Sequence, residues 1–139
     1  MTPVEEGIIR RKLATMVHGL KAMDSRMTSE GYAGDIYMRK AAERLMQELT
    51  WAAIDINTHI IVHTDNAPPD DYFESFTRLG ELKVIPKGLA QRLAAGLRNR
   101  LVHEYDAIED RIVLEAIGMA QELYPEYIKE IEGFISGEG

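Results

Sequence analysis

Eleven residues, Gly96-Leu97-Arg98-Asn99-Arg100-Leu101-Val102-His103-Glu104-Tyr105-Asp106, hold the side chains of this sequence best suited to chemistry. Arginine offers phosphate oxygens a fixed fork of donors that lysine does not match. Histidine titrates near neutral pH and can act as general base or general acid. Cleaving RNA without a metal needs a base for the 2′-hydroxyl, an acid for the 5′-oxygen leaving group, and positive charge on the phosphate in the transition state. One chain brings a single histidine to this segment, whereas two proton transfers favour two. A two-fold dimer pairing such segments would place two Arg98 and two His103 in one cleft, so the residues predict a homodimer with a composite site. The plainer reading of the same pair is that Arg and His near a helix C-terminus complement the macrodipole.

The element that must carry these residues is a helix. Pro86 suits a helix first turn, and Leu89, Leu93, Leu97 and Leu101 follow at four-residue steps. With Arg98 as the zero of angle and about 100° per residue, Asn99, Val102, His103, Tyr105 and Asp106 fall between about −20° and 140°, and the leucines between about 180° and 300°. Arg98, Asn99, His103 and Tyr105 are therefore expected on the face turned away from this helix's own core. Gly96, in mid-helix, costs about 1 kcal/mol relative to alanine, which suggests close approach of another helix or subunit.

The rest of the chain reads with helical period. Val4, Ile8, Leu13, Val17, Leu20 and Met27 mark a first helix. After the break at SEGYAG, Asp35 is a candidate N-cap, and Met38, Ala42, Leu45, Leu49, Ala53, Ile56 and Ile60 carry a second stripe to about His63. Pro68-Pro69 stops it. Asp70 or Asp71 then caps a short helix with Phe73, Phe76 and Leu79, ending near Gly80. A last helix runs from about Glu109 through Ile112, Ala116, Met119 and Leu123 to Ile131 and Ile135, with a kink expected at Pro125. No segment alternates with period two. The expected fold is all-α: one domain over 1–139, an antiparallel four-helix bundle with an additional short helix.

Arg98, four residues, His103, one residue, Tyr105 is the R-x4-H-x-Y motif of HEPN-domain proteins, and RNRLVHEYDAIEDRIV resembles their HepT-like toxin branch. AAERLMQELTWAAIDINTHII, within 39–63, looks like that branch's second helix, and DDYFESFTRLGELKVIP looks like its short third helix. The resemblance implies a metal-independent endoribonuclease, the toxin of a type VII-like toxin–antitoxin pair. It implies Arg98 and His103 as the catalytic pair and Asn99 in support. It also implies that Tyr105 accepts AMP from a minimal nucleotidyltransferase antitoxin. An AMP group there would add negative charge and bulk beside the arginine meant for the RNA phosphate. The alternative reading is a catalytically inactive helical subunit that complements a nucleotidyltransferase.

Composition bounds these readings. A chain of 139 residues, 45% hydrophobic and 28% charged, with 11 Gly and 5 Pro, belongs to neither the collagen-like nor the disordered class. The absence of cysteine excludes a disulfide framework, a thiolate zinc site and a cysteine nucleophile. The start, MTPVEEGIIRRKL, does not read as a secretory signal, and no apolar run suits a membrane span. A cytoplasmic location with no membrane partner is expected. The net charge of −7 argues against bulk nucleic-acid binding, but residues 86–103 carry four Lys/Arg and no acid. Asp55, His59 and His63 step by four, a spacing suited to metal ligation, but nothing completes a catalytic motif, so neither metal nor cofactor is expected. Glu43, Arg44 and Glu48 read as an intrahelical ion-pair set.

Overall fold

The computed structural model describes residues 3–23, 35–65, 67–101 and 110–137, with side chains throughout except at 4, 65, 97–101 and 110–113. These residues form five helices: α1 (Pro3–Ala22), α2 (Ile36–Asp65), α3 (Glu74–Glu81), α4 (Lys87–Leu101) and α5 (Asp110–Ile135). Among the described residues there is no strand. Helix α1 packs on α2 and α5, α2 on α3 and α5, α3 on α4, and α4 on α5.

Local chemistry sets the ends. Asp35 caps α2, its Oδ1 accepting from the Tyr37 N–H at 2.8 Å. Neither Asp70 nor Asp71 is the N-cap of α3: that position is Phe73, which makes no side-chain cap hydrogen bond, and Asp71 Oδ1 instead accepts from the N–H groups of Phe73 (2.7 Å) and Glu74 (3.4 Å) in the turn leading into the helix. The Pro86 carbonyl accepts the first helical bond of α4, from Ala90 N–H at 3.0 Å. Pro125 sits exposed inside α5, which continues through it.

The second stripe is buried as expected at Ala42, Leu49, Ala53, Ile56 and Ile60, with Met38 and Leu45 only half-buried. The first differs. The buried row of α1 is Ile9, Leu13 and Met16, continued by Met23 just past the helix end, while Ile8, Val17 and Leu20 are half-buried. The expected set mixed two adjacent rows, and α2 selects between them. The two helices run antiparallel, with Lys12 Nζ 3.1 Å from Asp55 Oδ2 and His63 Nδ1 3.4 Å from Glu5 Oε2. They approach closely at Gly19, where a Cβ would lie 3.2 Å from Leu49 Cγ.

A polar chain crosses the core. The buried Tyr127 hydroxyl donates toward Asn57 Oδ1 at 2.5 Å, with the Ala53 carbonyl 3.1 Å away. Asn57 Nδ2 donates to Ser75 Oγ (2.9 Å), and Ser75 Oγ donates to the Tyr72 carbonyl (2.6 Å). One turn away, the hydroxyls of Tyr124 and Thr50 are 3.2 Å apart. Burial pushes both phenols above their ordinary range, the charge of Tyr124 adding to the effect at Tyr127 and the Thr50 hydrogen bond opposing it at Tyr124. A buried polar chain with every member partnered fixes one register between the helices it joins. Here these are α2, α3 and α5.

Candidate active site

Helix α4 is held by its apolar side. Leu89 and Leu93 are buried, each such side chain contributing about 1.5–3 kcal/mol, and Ala90 and Ala94 are buried beside them. Ala90 lies against α3 so tightly that a Cβ on Gly80 would come within 2.8 Å of the Ala90 Cβ. The opposite side, Gln91, Arg92 and Ala95, is exposed. The helix therefore presents one fixed face outwards.

Arg98 and Asn99 occupy the final turn of α4. Asn99 follows exposed Arg92 by seven residues and exposed Ala95 by four, which puts its backbone position on the outward arc. Arg98 follows exposed Gln91 by seven but buried Ala94 by four, so its position borders that arc rather than centring on it. The structure thus brings Arg98 and Asn99 into one helical turn beside an exposed face. His103 and Tyr105 lie outside the described residues.

Next to this turn is a feature with no signal in the sequence. The Arg92 Nη2 donates to Glu122 Oε1 at 2.7 Å, joining α4 to α5 across thirty residues of chain. That hydrogen bond, and then the Glu122 charge, hold the exposed guanidinium further toward its charged form. The pair crosses an open groove of about 400 Å³ whose lining includes Gly96, Glu115, Gly118 and Met119. Gly96 thus lines the groove between α4 and α5. Such a pairing of distant residues leaves no periodic trace.

The Asp55–His59–His63 row has other engagements, since Asp55 pairs with Lys12 and His63 with Glu5. Among the described residues no group of three His, Asp or Glu is placed to hold a metal ion. Arg44 bonds Glu48 at 3.0 Å along α2, as the sequence set suggested, while Glu43 is 3.7 Å from Lys40. Among the described residues no helix is long and apolar enough to cross a membrane.

The family model of HepT-like ribonucleases matches residues 12–132. The chain belongs to the HepT-like ribonuclease family. It is 36% identical over 140 residues to the tRNA nuclease HepT of Aphanizomenon flos-aquae, covering 97% of this chain and 95% of that protein. Its structure is similar to that of the tri-AMPylated Shewanella oneidensis HEPN toxin in complex with its MNT antitoxin. The TM-score is 0.77 at 26% identity, over 96% of this chain and 99% of the other. A crystal structure of a mutant MntA–HpeT toxin–antitoxin is likewise similar, with a TM-score of 0.75 at 27% identity, over 91% and 98% of the two chains. The segment from Arg98 to Tyr105 lies inside the matched span of this HepT-like chain, and the five helices are those of a HEPN toxin.

Proposed function

We propose that this HepT-like protein is a ribonuclease toxin that cuts tRNA, without a metal, at a site shared by the two copies of a homodimer. The observation that carries the reading is the identity to a tRNA nuclease along nearly the whole chain, with R-x4-H-x-Y intact in the sequence and its arginine in the last turn of α4. In each half of the site Arg98 holds a non-bridging phosphate oxygen and offsets the charge that builds on it in the transition state. One His103 takes the 2′-hydroxyl proton while the other protonates the departing 5′-oxygen. The product is a 2′,3′-cyclic phosphate, formed as the P–O5′ bond breaks. Asn99, one residue beyond Arg98 on the outward arc, supports the pair by hydrogen bonding. The two-fold arrangement supplies the second histidine that one chain's motif lacks.

Control is assigned to Tyr105, as the acceptor of AMP from an MNT-type nucleotidyltransferase antitoxin. The similar Shewanella toxin was crystallised AMPylated and with such an antitoxin. Tyr105 is seven residues from Arg98 in the sequence, and an AMP phosphate on it would compete for that arginine and fill the cleft.

The test is cleavage of a labelled tRNA in EDTA. The parental protein cuts, whereas Arg98→Ala and His103→Ala lose cutting and keep their helicity and melting temperature. Cutting by either variant at the parental rate would overturn the assignment of residues. Cutting that requires a divalent ion would overturn metal independence.

A further inference from the structure

Two walls of unlike charge face each other across the groove that the Arg92–Glu122 bond spans. The α4 wall belongs to the stretch 86–103, which carries Lys87, Arg92, Arg98 and Arg100 and no acid. The α5 wall carries Glu115 and Glu122. Between them lie about 400 Å³, within the range of about 300–1,000 Å³ in which proteins hold small ligands. A nucleotide is divided in the same way. Its phosphate is anionic, and adenine, guanine and cytosine carry amino groups that donate to a carboxylate.

The groove opens beside the turn that holds the catalytic arginine. Gly96, in its lining, is two residues before Arg98, and Arg92 is six before it, about 9 Å along the helix axis. The bond to Glu122 takes one of the five N–H donors of the Arg92 guanidinium and fixes the group across the groove. The opposite wall contributes Gly118, exposed in the middle of α5 although glycine is among the poorest helix formers. A Cβ there would meet nothing within 4 Å, so packing does not demand a glycine at this position. A side chain at 118 would instead take up groove space beside the half-buried Met119.

We propose, on the ribonuclease reading above, that this groove seats the nucleotide next to the cleaved bond. Arg92 grips the phosphate of that nucleotide with a fork of its remaining donors, while Glu122 holds the guanidinium in place. The α5 carboxylates repel a phosphate, so the RNA backbone keeps to the α4 side. The base lies over Gly118 and against Met119. The scissile phosphate stays with Arg98, and Arg92 serves as a binding residue that sets where the strand lies.

Binding of labelled tRNA in EDTA tests this, with protein carrying His103→Ala so that the RNA stays whole. Fluorescence anisotropy is read over a series of salt concentrations. Adding Arg92→Ala weakens binding about tenfold at low salt. It also lowers the slope of log affinity against log salt by about 0.7–0.9, the share of one phosphate. Arg92→Lys keeps that slope, because the charge remains. Gly118→Leu weakens binding and melts no lower than its parent, whereas Gly133→Leu, also in open space on α5 but lining a different cavity, leaves binding unchanged. Arg44→Ala, which removes another exposed arginine paired with a glutamate, leaves the slope in place. Parental affinity and slope in Arg92→Ala, or an equal loss in Arg44→Ala, would overturn the proposal. So would a Gly118→Leu protein that bound as its parent does or melted lower. Loss of an antitoxin by these variants, with tRNA binding intact, would give the groove to that protein and overturn it too. Binding that follows this pattern in a parental protein unable to cut would uphold the groove and overturn the ribonuclease reading. Cutting by a parental protein whose groove variants bind normally would do the reverse, and a protein that binds no tRNA would overturn both.

Discussion

Replacing Tyr127 with phenylalanine removes one oxygen atom from a site with no exposure to solvent. The ring and its packing against Phe76, with centroids 5.9 Å apart, stay in place. What is lost is the donor to Asn57 Oδ1, itself fully buried. A buried acceptor left without a partner costs about 1–3 kcal/mol. In a domain of 139 residues each kcal/mol shifts the melting temperature by about 3–5 °C, so Tyr127→Phe should melt lower by about 3–15 °C. The companion change Asn57→Leu removes the orphaned acceptor and leaves Ser75 its bond to the Tyr72 carbonyl. The double variant should therefore lose less than the sum of the single losses, by about 1–2 kcal/mol. Thermal and urea melts followed by far-ultraviolet circular dichroism give all three values. A Tyr127→Phe protein melting within about 1 °C of the parent, or strictly additive losses, would show that the chain of hydrogen bonds does not couple these helices.

Alkaline pH should act on the same chain. Both folded phenols titrate above the unfolded value of about 10, so their contribution is intact below pH ~10 and lost as pH rises toward the folded values, at up to about 1.4 kcal/mol per pH unit for each tyrosine. Melting temperature should fall from pH ~10 upward, less steeply in Tyr127→Phe, and a flat profile to pH ~11 would contradict this. Gly80→Ala should destabilise by about 1–3 kcal/mol by overpacking Ala90. Gly88→Ala, in open space within α4, should stabilise by about 0.5–1 kcal/mol, and urea melts that reverse this order would refute the packing described. Incubation with an MNT-type antitoxin and ATP should add whole AMP units by intact mass and suppress tRNA cutting. Tyr105→Phe should keep cutting and escape suppression, and an unchanged adduct on that variant would place the acceptor elsewhere, with exposed Tyr37 and Tyr72 next to be tested.

What the sequence made legible follows from what leaves a periodic trace. Leu89 and Leu93 declared the buried side of α4, and the row from Ala42 to Ile60 declared that of α2. The cap of α2 was readable as Asp35, whereas the N-cap of α3 is Phe73, and Asp71 holds only the turn before it. The row of α1 was misread because Ile8 and Ile9 are both apolar, and only the position of α2 chooses Ile9. In α5 the expected row ran through Met119, which is half-buried, and omitted Tyr124 and Tyr127, two of the largest fully buried side chains. Their partners Thr50 and Asn57 stand 74 and 70 residues away, a distance at which no local pattern operates. The candidate site was legible as residue types at a spacing. Of its four residues, Arg98 and Asn99 fall in the described part of α4, and Arg98 sits closer to the buried edge than the leucine steps alone suggested. The Arg92–Glu122 pair beside them could be found only in three dimensions.

The polar chain through the core also bears on the order in which the protein can be completed during synthesis. Asn57 and Ser75 meet as soon as α2 and α3 exist, and α1, α2, α3 and α4 have neighbours close in sequence to pack on. The Asn57 carbonyl and the Thr50 hydroxyl still wait for α5, which leaves the ribosome after all of them. Until Tyr124 and Tyr127 arrive, α2 exposes polar groups and apolar rows meant for the interior, a state prone to sticking. Docking of α5 closes that core and in the same movement brings Glu122 to Arg92, beside the turn that holds Arg98. A nascent chain thus gains its closed core and the Arg92–Glu122 bond together, and only when its fifth helix is in place.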